Sequence, residues 1–338
     1  MKDKPICSVC IANYNGVSTL AACLDSALNQ DCGFSVEVIV HDDASSDESV
    51  AFIHQHYPRV ALIESRENVG FCVANNRMAA QARGEFLLLL NNDAELFPDA
   101  LNALYKTAKQ LDKPAIIGLP QYDAATGDLI DRGSLLDPFL NPVPNLNQKR
   151  HEVGMVIGAC LWIPRGLWDE IGGFPEWFGS LAEDMYVCCC ARLWGYPVWV
   201  LPESGFKHWV GLSLGGGKVI GKQLVTSQKR RALSERNKNF VMVLCYPTPW
   251  VHLFLPFHVL ILLLEGLAIA LVKRKLGLFI NIYLASVTAL WKWRSKLKLQ
   301  RLKIQQGRIL KHCNFYRIFD WRPYKLRMLL KHGLPKIS

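Results

Sequence analysis

Acidic side chains are scarce in the last 128 residues of this 338-residue chain. Residues 211–338 contain 3 Asp and Glu against 24 Lys and Arg, whereas residues 1–210 contain 26 against 15. The first segment therefore has a net charge of −11 and the second a net charge of +21. A strongly basic surface binds nucleic acid or an anionic membrane, so we expect the two segments to have different partners.

Gly, Ser and Asn rarely separate the cations of the basic segment, which alternate instead with long apolar runs. This pattern favours a membrane surface over nucleic acid as the partner. The longest run, residues 251–272, is long enough to span a bilayer, but Pro256 interrupts it. His258 and Glu265 fall on one helical face, which favours an interfacial or re-entrant helix, with a spanning helix as the alternative.

The sequence lacks the cysteine patterns of a disulfide framework or a zinc site, although it contains 11 cysteines. Residues 1–6 lack the apolar core of a signal peptide, and three consecutive cysteines, residues 188–190, lie in a predicted helix. Cys7 and Cys10 lie in a predicted strand and have no second pair at zinc spacing. We therefore expect reduced thiols and a cytoplasmic location.

Strands and helices alternate along residues 6–201. The pattern predicts strands at residues 6–12, 36–40, 60–64, 86–90, 115–120, 156–164 and 198–201. It predicts helices at residues 18–29, 47–57, 75–82 and 98–111, and an amphipathic helix within 168–194. Such alternation implies an α/β fold with a mainly parallel sheet and right-handed crossovers. Residues 121–152 predict a long loop or hairpin, longer than ordinary connections.

Polar side chains follow the predicted strands at the points where the strands end. A run of four leucines leads to Asp93, and Asp43 follows the second predicted strand. In open α/β sheets, ligands bind beyond the C-terminal ends of the strands, so we expect a metal or phosphate site at this edge. Asn and Asp also form ordinary turns and helix N-caps, and that alternative stays open.

Six motifs occur one after another along the chain, most of them at these strand ends. They are SVCIANYN at residues 8–15, VIVHDDASSD at 38–47, NVGF at 68–71 followed by Asn75 and Asn76, LLLNND at 88–93, GGF at 172–174, and Glu183-Asp184. Together they resemble family 2 glycosyltransferases, inverting enzymes of the GT-A fold that use nucleotide sugars. The resemblance covers residues 6 to about 245. Within the family, the chain is most similar to rhamnosyltransferase-type members of bacterial surface-polysaccharide synthesis. It implies a GT-A domain over residues 1–245 and a basic, apolar, helical membrane-association region over residues 246–338.

The resemblance implies a nucleotide site on the first strand ends. Its predicted members are Ala12, Tyr14, Asn15, Asp43, Asn68, Gly70, Asn75 and Asn92. A uracil or thymine presents an N3–H donor, so Asp43 is the best candidate to accept from the base, while Ala12 and Tyr14 line the base pocket. Asp43 as a plain turn residue is the alternative.

A nucleoside diphosphate leaving group develops negative charge that a divalent cation neutralises, and oxygen ligands suit Mn²⁺ or Mg²⁺. Asp93 is the predicted ligand, and His208 stands where the resemblance implies a second one. The family's usual triplet holds two or three acidic residues, whereas Asn91 and Asn92 replace the first two here.

Inversion at the anomeric carbon needs a general base that removes the acceptor hydroxyl proton. Asp184 is our first candidate and Glu183 the second, although two acids at a helix start also fit a simple helix-dipole arrangement. Two more pairs complete the predicted site. Trp177 and Phe178 are predicted to stack on an acceptor sugar, and Lys218 and Arg236 to approach the diphosphate from a flexible lid.

The sequence thus predicts a glycosyltransferase on the cytoplasmic side of the plasma membrane, peripheral or monotopic. Its expected partners are a dTDP- or UDP-sugar, with dTDP-rhamnose as first choice, and a polyprenyl-diphosphate-linked or other lipid-linked saccharide. UDP-galactose, UDP-GlcNAc and GDP-mannose remain alternative donors. A non-catalytic membrane scaffold of the same fold is the alternative from a different class, and it rests on the missing acids of the triplet.

Overall fold

The computed structural model describes residues 4–209, 211, 216–221 and 223–337. The chain divides into two compact units. Residues up to 134, 144–191 and 196–209 form the first unit, and residues 135–143, 192–195 and the chain after 209 form the second. Residues 210–245 thus cluster with the second unit, whereas the sequence places them in the GT-A domain; that boundary at 245 stays a prediction.

The elements before residue 209 follow the predicted alternation. The strands are β1 Cys7–Asn13, β2 Val36–Asp42, β3 Ala61–Glu64, β4 Phe86–Asn91, β5 Ala94–Leu96, β6 Ile116–Gly118, β7 Gln121–Asp123, β8 Leu129–Asp131, β9 Ser134–Leu136, β10 Pro142–Pro144, β11 Cys160–Pro164, β12 Val198–Val200 and β13 Phe206–His208. The helices are α1 Val17–Leu28, α2 Ser49–His56, α3 Phe71–Gln81, α4 Ala100–Gln110, α5 Arg165–Ile171 and α6 Glu183–Leu193, with a 3₁₀ turn at Glu176–Phe178. The predicted long loop at 121–152 contains four short strands, β7 to β10.

The main sheet has the order β12-β6-β11-β4-β1-β2-β3. Strands β1 to β4 are parallel, as predicted, with β1 between β2 and β4. Strand β11 runs antiparallel to both β4 and β6, so the sheet is mixed at this side. The four leucines of β4 are buried because the sheet is covered on both faces.

A second sheet, in the order β5-β13-β7-β8, lies beyond the end of β4. Strand β13 is antiparallel to β5, where His208 pairs with Ala94, and parallel to β7, where Phe206 pairs with Gln121. Asp93 lies directly before β5 and His208 ends the adjacent strand β13, although their positions in the chain differ by 115. The ten described cysteines are free thiols, which agrees with the predicted reduced state.

The second unit is mainly helical. Its helices are α7 Gln228–Cys245, α8 Trp250–Lys273, α9 Leu276–Leu278, α10 Ala285–Lys292, α11 Arg294–Gln306, α12 His312–Phe315 and α13 Tyr324–His332, with a π-helix at Phe279–Leu284 between α9 and α10. Its strands are β14 Gly216–Ile220, β15 Gln223–Thr226 and β16 Lys336–Ile337. Helix α8 continues through Pro256, which therefore does not interrupt the apolar run as the sequence led us to expect. Pro256 lies in the second turn, where its missing N–H removes one bond near the helix start.

One described helix, α8, is long and apolar enough to cross a membrane, and the bent pair of residues 276–292 and 294–306 reaches the same length and composition only if taken as one span. His258 and Glu265 do lie on one face of α8. His258 Nε2 is 2.9 Å from Asn239 Oδ1 of α7, and Glu265 pairs with Arg231 of the same helix.

A buried ion network joins these helices. Glu235 is 1% exposed and lies 2.7 Å from Lys325 Nζ, 3.0 Å from Lys238 Nζ and 3.2 Å from Arg231 Nε. Burial alone would raise the pKa of Glu235, but attraction to the three cations outweighs burial and holds this pKa well below its usual range. Glu235 is therefore an ionised structural residue at the centre of the second unit.

Candidate active site

Asp43 bridges two strand-end loops of the main sheet. Its Oδ1 accepts from the Val69 backbone N–H at 2.7 Å, and its Oδ2 accepts from the Gly70 N–H at 2.8 Å. Gly70 has φ of +88°, a conformation that glycine adopts without strain. Each carboxylate oxygen retains accepting capacity beyond one N–H, so the structural role of Asp43 leaves room for a base N–H.

A hydrogen-bond relay of neutral donors crosses the ends of β4, β1 and β2. Asn92 Nδ2 donates to Asn13 Oδ1 at 2.7 Å, and Asn13 Nδ2 donates to Asp42 Oδ2 at 2.8 Å. Asp42 also accepts from the Ser45 N–H at 2.9 Å and the Ser45 hydroxyl at 2.7 Å. An acid in place of Asn92 would face the acceptor Oδ1 of Asn13. The relay thus gives a structural reason for an amide at this position of the triplet.

Asp93 and His208 converge at the edge of the second sheet, as the sequence predicts. Asp93 Oδ1 lies 3.1 Å from His208 Nε2, and the two residues are 4% and 7% exposed. Among the described residues, no donor is aligned for a hydrogen bond to Asp93 Oδ1. A buried carboxylate oxygen without an aligned donor, facing an imidazole nitrogen, is a donor pair that a divalent cation can share. These two residues therefore fit a metal site completed by ligand oxygens.

Gln121, which the sequence analysis missed, orients His208 from β7. Its amide nitrogen lies 2.9 Å from His208 Nδ1, and Gln121 is 4% exposed. The oxygen and nitrogen of an amide are interchangeable by rotation, and the choice follows the hydrogen-bond network. With the amide oxygen toward Nδ1–H, His208 Nε2 presents its lone pair on the side of Asp93. This is the support that metal-binding histidines usually have.

Asp184, at the start of α6, reaches the same edge of the main sheet. Its Oδ2 accepts from the Gly158 N–H at 3.0 Å. The next residue, Ala159, accepts at its carbonyl from the Asn91 N–H at 3.0 Å, which connects Asp184 to the end of β4. Leu181 and Ala182, just before α6, have φ of +72° and +65°, a left-handed backbone that is strained for residues with a Cβ. Such strain is concentrated at functional sites.

The charge of the strand-end cluster is uncompensated by basic side chains. In the part of the chain that the structure describes, no Lys or Arg nitrogen lies within 4.0 Å of the carboxylates of Asp42, Asp43 or Asp93. Neutral amides, hydroxyls and backbone N–H groups satisfy the carboxylates of Asp42 and Asp43 instead, and the Asp93 carboxylate faces His208. The cluster keeps its negative charge, so a diphosphate needs a cation to bind beside it.

The other predicted nucleotide residues divide into exposed and structural ones. Tyr14 is 53% exposed and Ala12 and Asn68 are at least partly accessible, which suits contact with a base. Asn15 Oδ1 accepts from the Ser46 N–H at 2.7 Å and so holds the loop after β2. Asn75 is 1% exposed and its amide donates to Phe71 within α3 at 2.9 Å. Its place in the nucleotide site stays a prediction.

The predicted acceptor pair is only half accessible. Phe178 is fully buried, with its ring 4.8 Å from that of Trp177 and 5.8 Å from that of Tyr186, so its predicted stacking on a sugar is wrong. Phe178 packs inward because the 3₁₀ turn directs it to the core beneath α6. Trp177 is partly exposed and stays a candidate. Asn76, a motif residue to which the sequence analysis gave no role, exchanges two 2.9 Å hydrogen bonds with the backbone of Phe174 and fixes the turn ahead of this pair.

The predicted lid residues belong to the second unit. Lys218 lies in β14, and its side chain lies outside the described part of the structure. Arg236 lies in α7, where its Nε donates to Asn237 Oδ1 at 2.9 Å and its guanidinium lies 5.8 Å from the Phe240 ring. The roles of both at a diphosphate stay predictions.

Comparisons with known proteins agree with this geometry. Residues 8–172 match the family "Glycosyl transferase family 2". Chondroitin synthase of Escherichia coli is 32% identical over 193 residues, which are 55% of this chain and 27% of that protein. The N-acetylglucosaminyl-diphospho-decaprenol L-rhamnosyltransferase of Mycobacterium tuberculosis is 26% identical over 181 residues, 44% of this chain and 59% of that protein. The chain thus spans less than two thirds of these relatives.

A solved structure supports the fold independently of sequence. The crystal structure of GalNAc-T7 with UDP, GalNAc and Mn²⁺ has a TM-score of 0.58 at 17% identity and covers 73% of this chain and 49% of that one. At this identity the likeness concerns the fold. The predicted GT-A fold, with its mostly parallel mixed sheet and C-terminal helical region, is confirmed. Residues 8–172 therefore match glycosyltransferase family 2, and the structure that contains them has the GT-A fold.

Proposed function

We propose that this protein is an inverting glycosyltransferase of polysaccharide biosynthesis. Its donor is a dTDP- or UDP-sugar, with dTDP-rhamnose the first candidate, and its acceptor is a lipid-linked saccharide. The observation that carries the proposal is the pair of Asp93 Oδ1 and His208 Nε2, 3.1 Å apart, at the sheet edge that also holds Asp43 and Asp184. The rhamnosyltransferase relative supports rhamnose and a lipid diphosphate acceptor.

The proposed chemistry divides among these residues. Asp43 accepts from the nucleobase, and Asp93 and His208 would hold Mn²⁺ or Mg²⁺. When bound, the cation supplies positive charge for the departing diphosphate. Asp184 takes the proton of the acceptor hydroxyl while that oxygen bonds to the anomeric carbon and the bond from carbon to diphosphate oxygen breaks. Attack from the face opposite the diphosphate inverts the configuration.

We also propose that α8 lies along the membrane surface and does not cross the bilayer. Its apolar side chains Leu253, Leu260 and Leu264 are 54–61% exposed. Helix α7 runs antiparallel to α8, since Asn239 contacts His258 and Arg231 contacts Glu265. The charged first turns of α7 would enter the hydrocarbon if α8 crossed the bilayer, at a cost of several kcal/mol for each charge, about 2.5–3.5 on insertion scales.

The basic ends of the apolar helices fit this placement. Lys273 ends α8, Arg274 and Lys275 follow it, and all three are exposed. Lys292 ends α10 and Arg294 begins α11, and both are exposed. Cations at both ends suit a helix pair that floats in the headgroup layer with its apolar face inward. We propose the cytoplasmic leaflet as its site because that leaflet carries the anionic lipids.

Turnover with defined donors tests the proposed activity. The purified full-length protein is assayed for nucleoside diphosphate release with dTDP-rhamnose, UDP-galactose, UDP-GlcNAc and GDP-mannose in the presence of extracted lipid acceptor. We expect release with one donor, at a rate that falls about 10²–10⁴-fold with Asp184→Asn. Nucleotide binding without release from any donor would favour the non-catalytic scaffold instead.

A further inference from the structure

The second unit contains a cavity of about 1080 Å³ with an unusual combination of walls. Trp250, Phe254 and Trp321 supply aromatic surface, and Arg308, Lys311 and Arg317 supply three positive charges. None of the described residues that line it is acidic. A lining that combines aromatic and cationic side chains suits an amphiphile with an anionic end.

The cationic wall is held by hydrogen bonds at its ends. The N–H groups of Ile309 and Leu310 donate to the Leu193 carbonyl at 2.9 and 3.0 Å, and Trp194 Nε1 donates to the Ile304 carbonyl at 2.9 Å. These bonds fix the connection between α11 and α12, which carries Arg308 and Lys311. Within the described part of the chain, no Asp or Glu oxygen lies within 4.0 Å of Arg308 or Lys311 nitrogen. Their charges are therefore available to an anion.

The aromatic wall is also built. The ring of Phe254 lies 6.3 Å from Trp321 and 5.9 Å from Tyr316, and Trp250 lies 6.2 Å from Tyr316. Arg301 supports this wall from below, because its guanidinium donates to the Tyr246 carbonyl at 2.8 Å and to Thr248 Oγ1 at 2.9 Å, just before α8 begins. Trp250 and Trp321 remain 41% and 57% exposed.

The aromatic wall continues onto the apolar face of α8. Trp250 and Phe254 occupy its first two turns, and their neighbours Leu253 and Phe257 are 61% and 53% exposed. A chain that leaves the cavity past Phe254 therefore meets apolar surface, the same surface that we place against the membrane. The cavity joins a cationic end to a route for a hydrocarbon chain.

We propose that this cavity binds a long-chain lipid diphosphate, with the diphosphate on Arg308 and Lys311 and the chain along Trp250 and Phe254. Arg308 and Lys311, which have no described Asp or Glu oxygen within 4.0 Å, supply two positive charges, and these suit a diphosphate, which carries more than one negative charge, better than a single phosphodiester. The identification as the acceptor lipid rests on the proposed function. The site itself rests on the cavity.

Binding of farnesyl diphosphate to the full-length protein in neutral detergent tests the site, with tryptophan fluorescence as the readout. We expect Arg308→Gln with Lys311→Gln to weaken binding at least about tenfold, equal to 1.4 kcal/mol. The matched control replaces two exposed cations of α11 outside the cavity, Lys298→Gln with Lys303→Gln, and should bind as the wild type does. Farnesol and inorganic pyrophosphate should each bind more weakly than farnesyl diphosphate.

Three results would overturn the proposal. Equal losses in the cavity and control variants would mean that overall charge attracts the ligand. Pyrophosphate binding as tight as farnesyl diphosphate, unchanged in Phe254→Ala, would mean a free phosphate site. If the wild-type protein does not bind farnesyl diphosphate, the cavity is not a lipid diphosphate site. Because this assay contains no donor and no turnover, the site stands if glycosyl transfer fails, and glycosyl transfer stands if the site fails.

Discussion

The strand-end carboxylates of the first unit and the Glu235 carboxylate of the second unit have opposite kinds of partner. In the first, Asp42 and Asp43 are satisfied by neutral amides, a hydroxyl and backbone N–H groups. In the second, the carboxylate of Glu235 is surrounded by Arg231, Lys238 and Lys325. A carboxylate that accepts only from neutral donors has no cation of the protein beside it and can attract a cationic ligand. A carboxylate surrounded by Lys and Arg is already neutralised and stabilises the fold. The comparison supports our proposal that the strand-end cluster is the site of chemistry, and it assigns the ion network to the structure of the second unit.

Removing the proposed base should give the largest effect. Asp184→Asn keeps an oxygen for the Gly158 N–H but cannot take a proton, so turnover should fall about 10²–10⁴-fold while nucleotide binding is retained. Initial rates and nucleotide titration measure the two quantities. Glu183→Gln is the paired variant, and a larger loss in it than in Asp184→Asn would transfer the role to Glu183.

The ion network should respond in stability. Glu235→Gln leaves three cations with one carboxylate, Glu265, and should lower the free energy of unfolding by about 3–5 kcal/mol. The control is Glu85→Gln, which removes a 2.6 Å pair with Lys109 whose side chains are about half exposed and should cost less than about 1 kcal/mol. Urea denaturation compares them. Similar losses in the two variants would refute the structural role of the network.

Gln121 tests how the second sheet prepares His208. Gln121→Leu removes the partner of Nδ1 and should weaken Mn²⁺ binding about 10–100-fold. Gln121→Glu, whose carboxylate also accepts from Nδ1–H, should restore most of the affinity. Paramagnetic resonance of Mn²⁺ in the presence of a nucleoside diphosphate measures it directly. Equal Mn²⁺ affinity in all three proteins would show that Gln121 has only a packing role.

The neutral relay should reject an added charge. Asn92→Asp places a carboxylate 2.7 Å from Asn13 Oδ1 and should destabilise the protein by about 1–3 kcal/mol, although it makes the triplet more acidic. Thermal denaturation at neutral pH measures the loss. The penalty should shrink in an Asn13→Ala background, and a penalty of the same size there would mean that the relay is not its cause.

The sequence predicts the convergence of the site well because parallel strands bring their ends to one edge. Asp43, Asp93 and Asp184 could be placed at that edge from strand order and motif order. Gln121 could not, because it lies in the segment predicted as a long loop, whose short strands have too few residues for a periodic signal. The prediction for Phe178 was wrong for a related reason. A three-residue turn is too short for its sequence to show whether Trp177 or Phe178 points inward.

The antiparallel direction of β11 could not be predicted from the sequence either, and nor could the ion network. Strand direction follows from how the chain returns after α4, and β11 has the apolar composition of a buried strand in either direction. In the sequence, Glu235 and Lys238 have the pattern of the charged face of an exposed helix. In the structure, α8 and α13 cover them. Tertiary packing decides such cases, and the local pattern does not.

Metal-dependent nucleotide binding tests the central claim most directly, that Asp93 and His208 form a site for a metal-bound diphosphate. Calorimetry measures the dissociation constants of UDP and dTDP with Mn²⁺ and with a chelator, for the wild type and for Asp93→Ala. We expect Mn²⁺ to strengthen binding of at least one nucleotide about tenfold or more in the wild type, or 1.4 kcal/mol, and to have no effect in Asp93→Ala. The same Mn²⁺ effect in both proteins, or none in the wild type, would contradict the account.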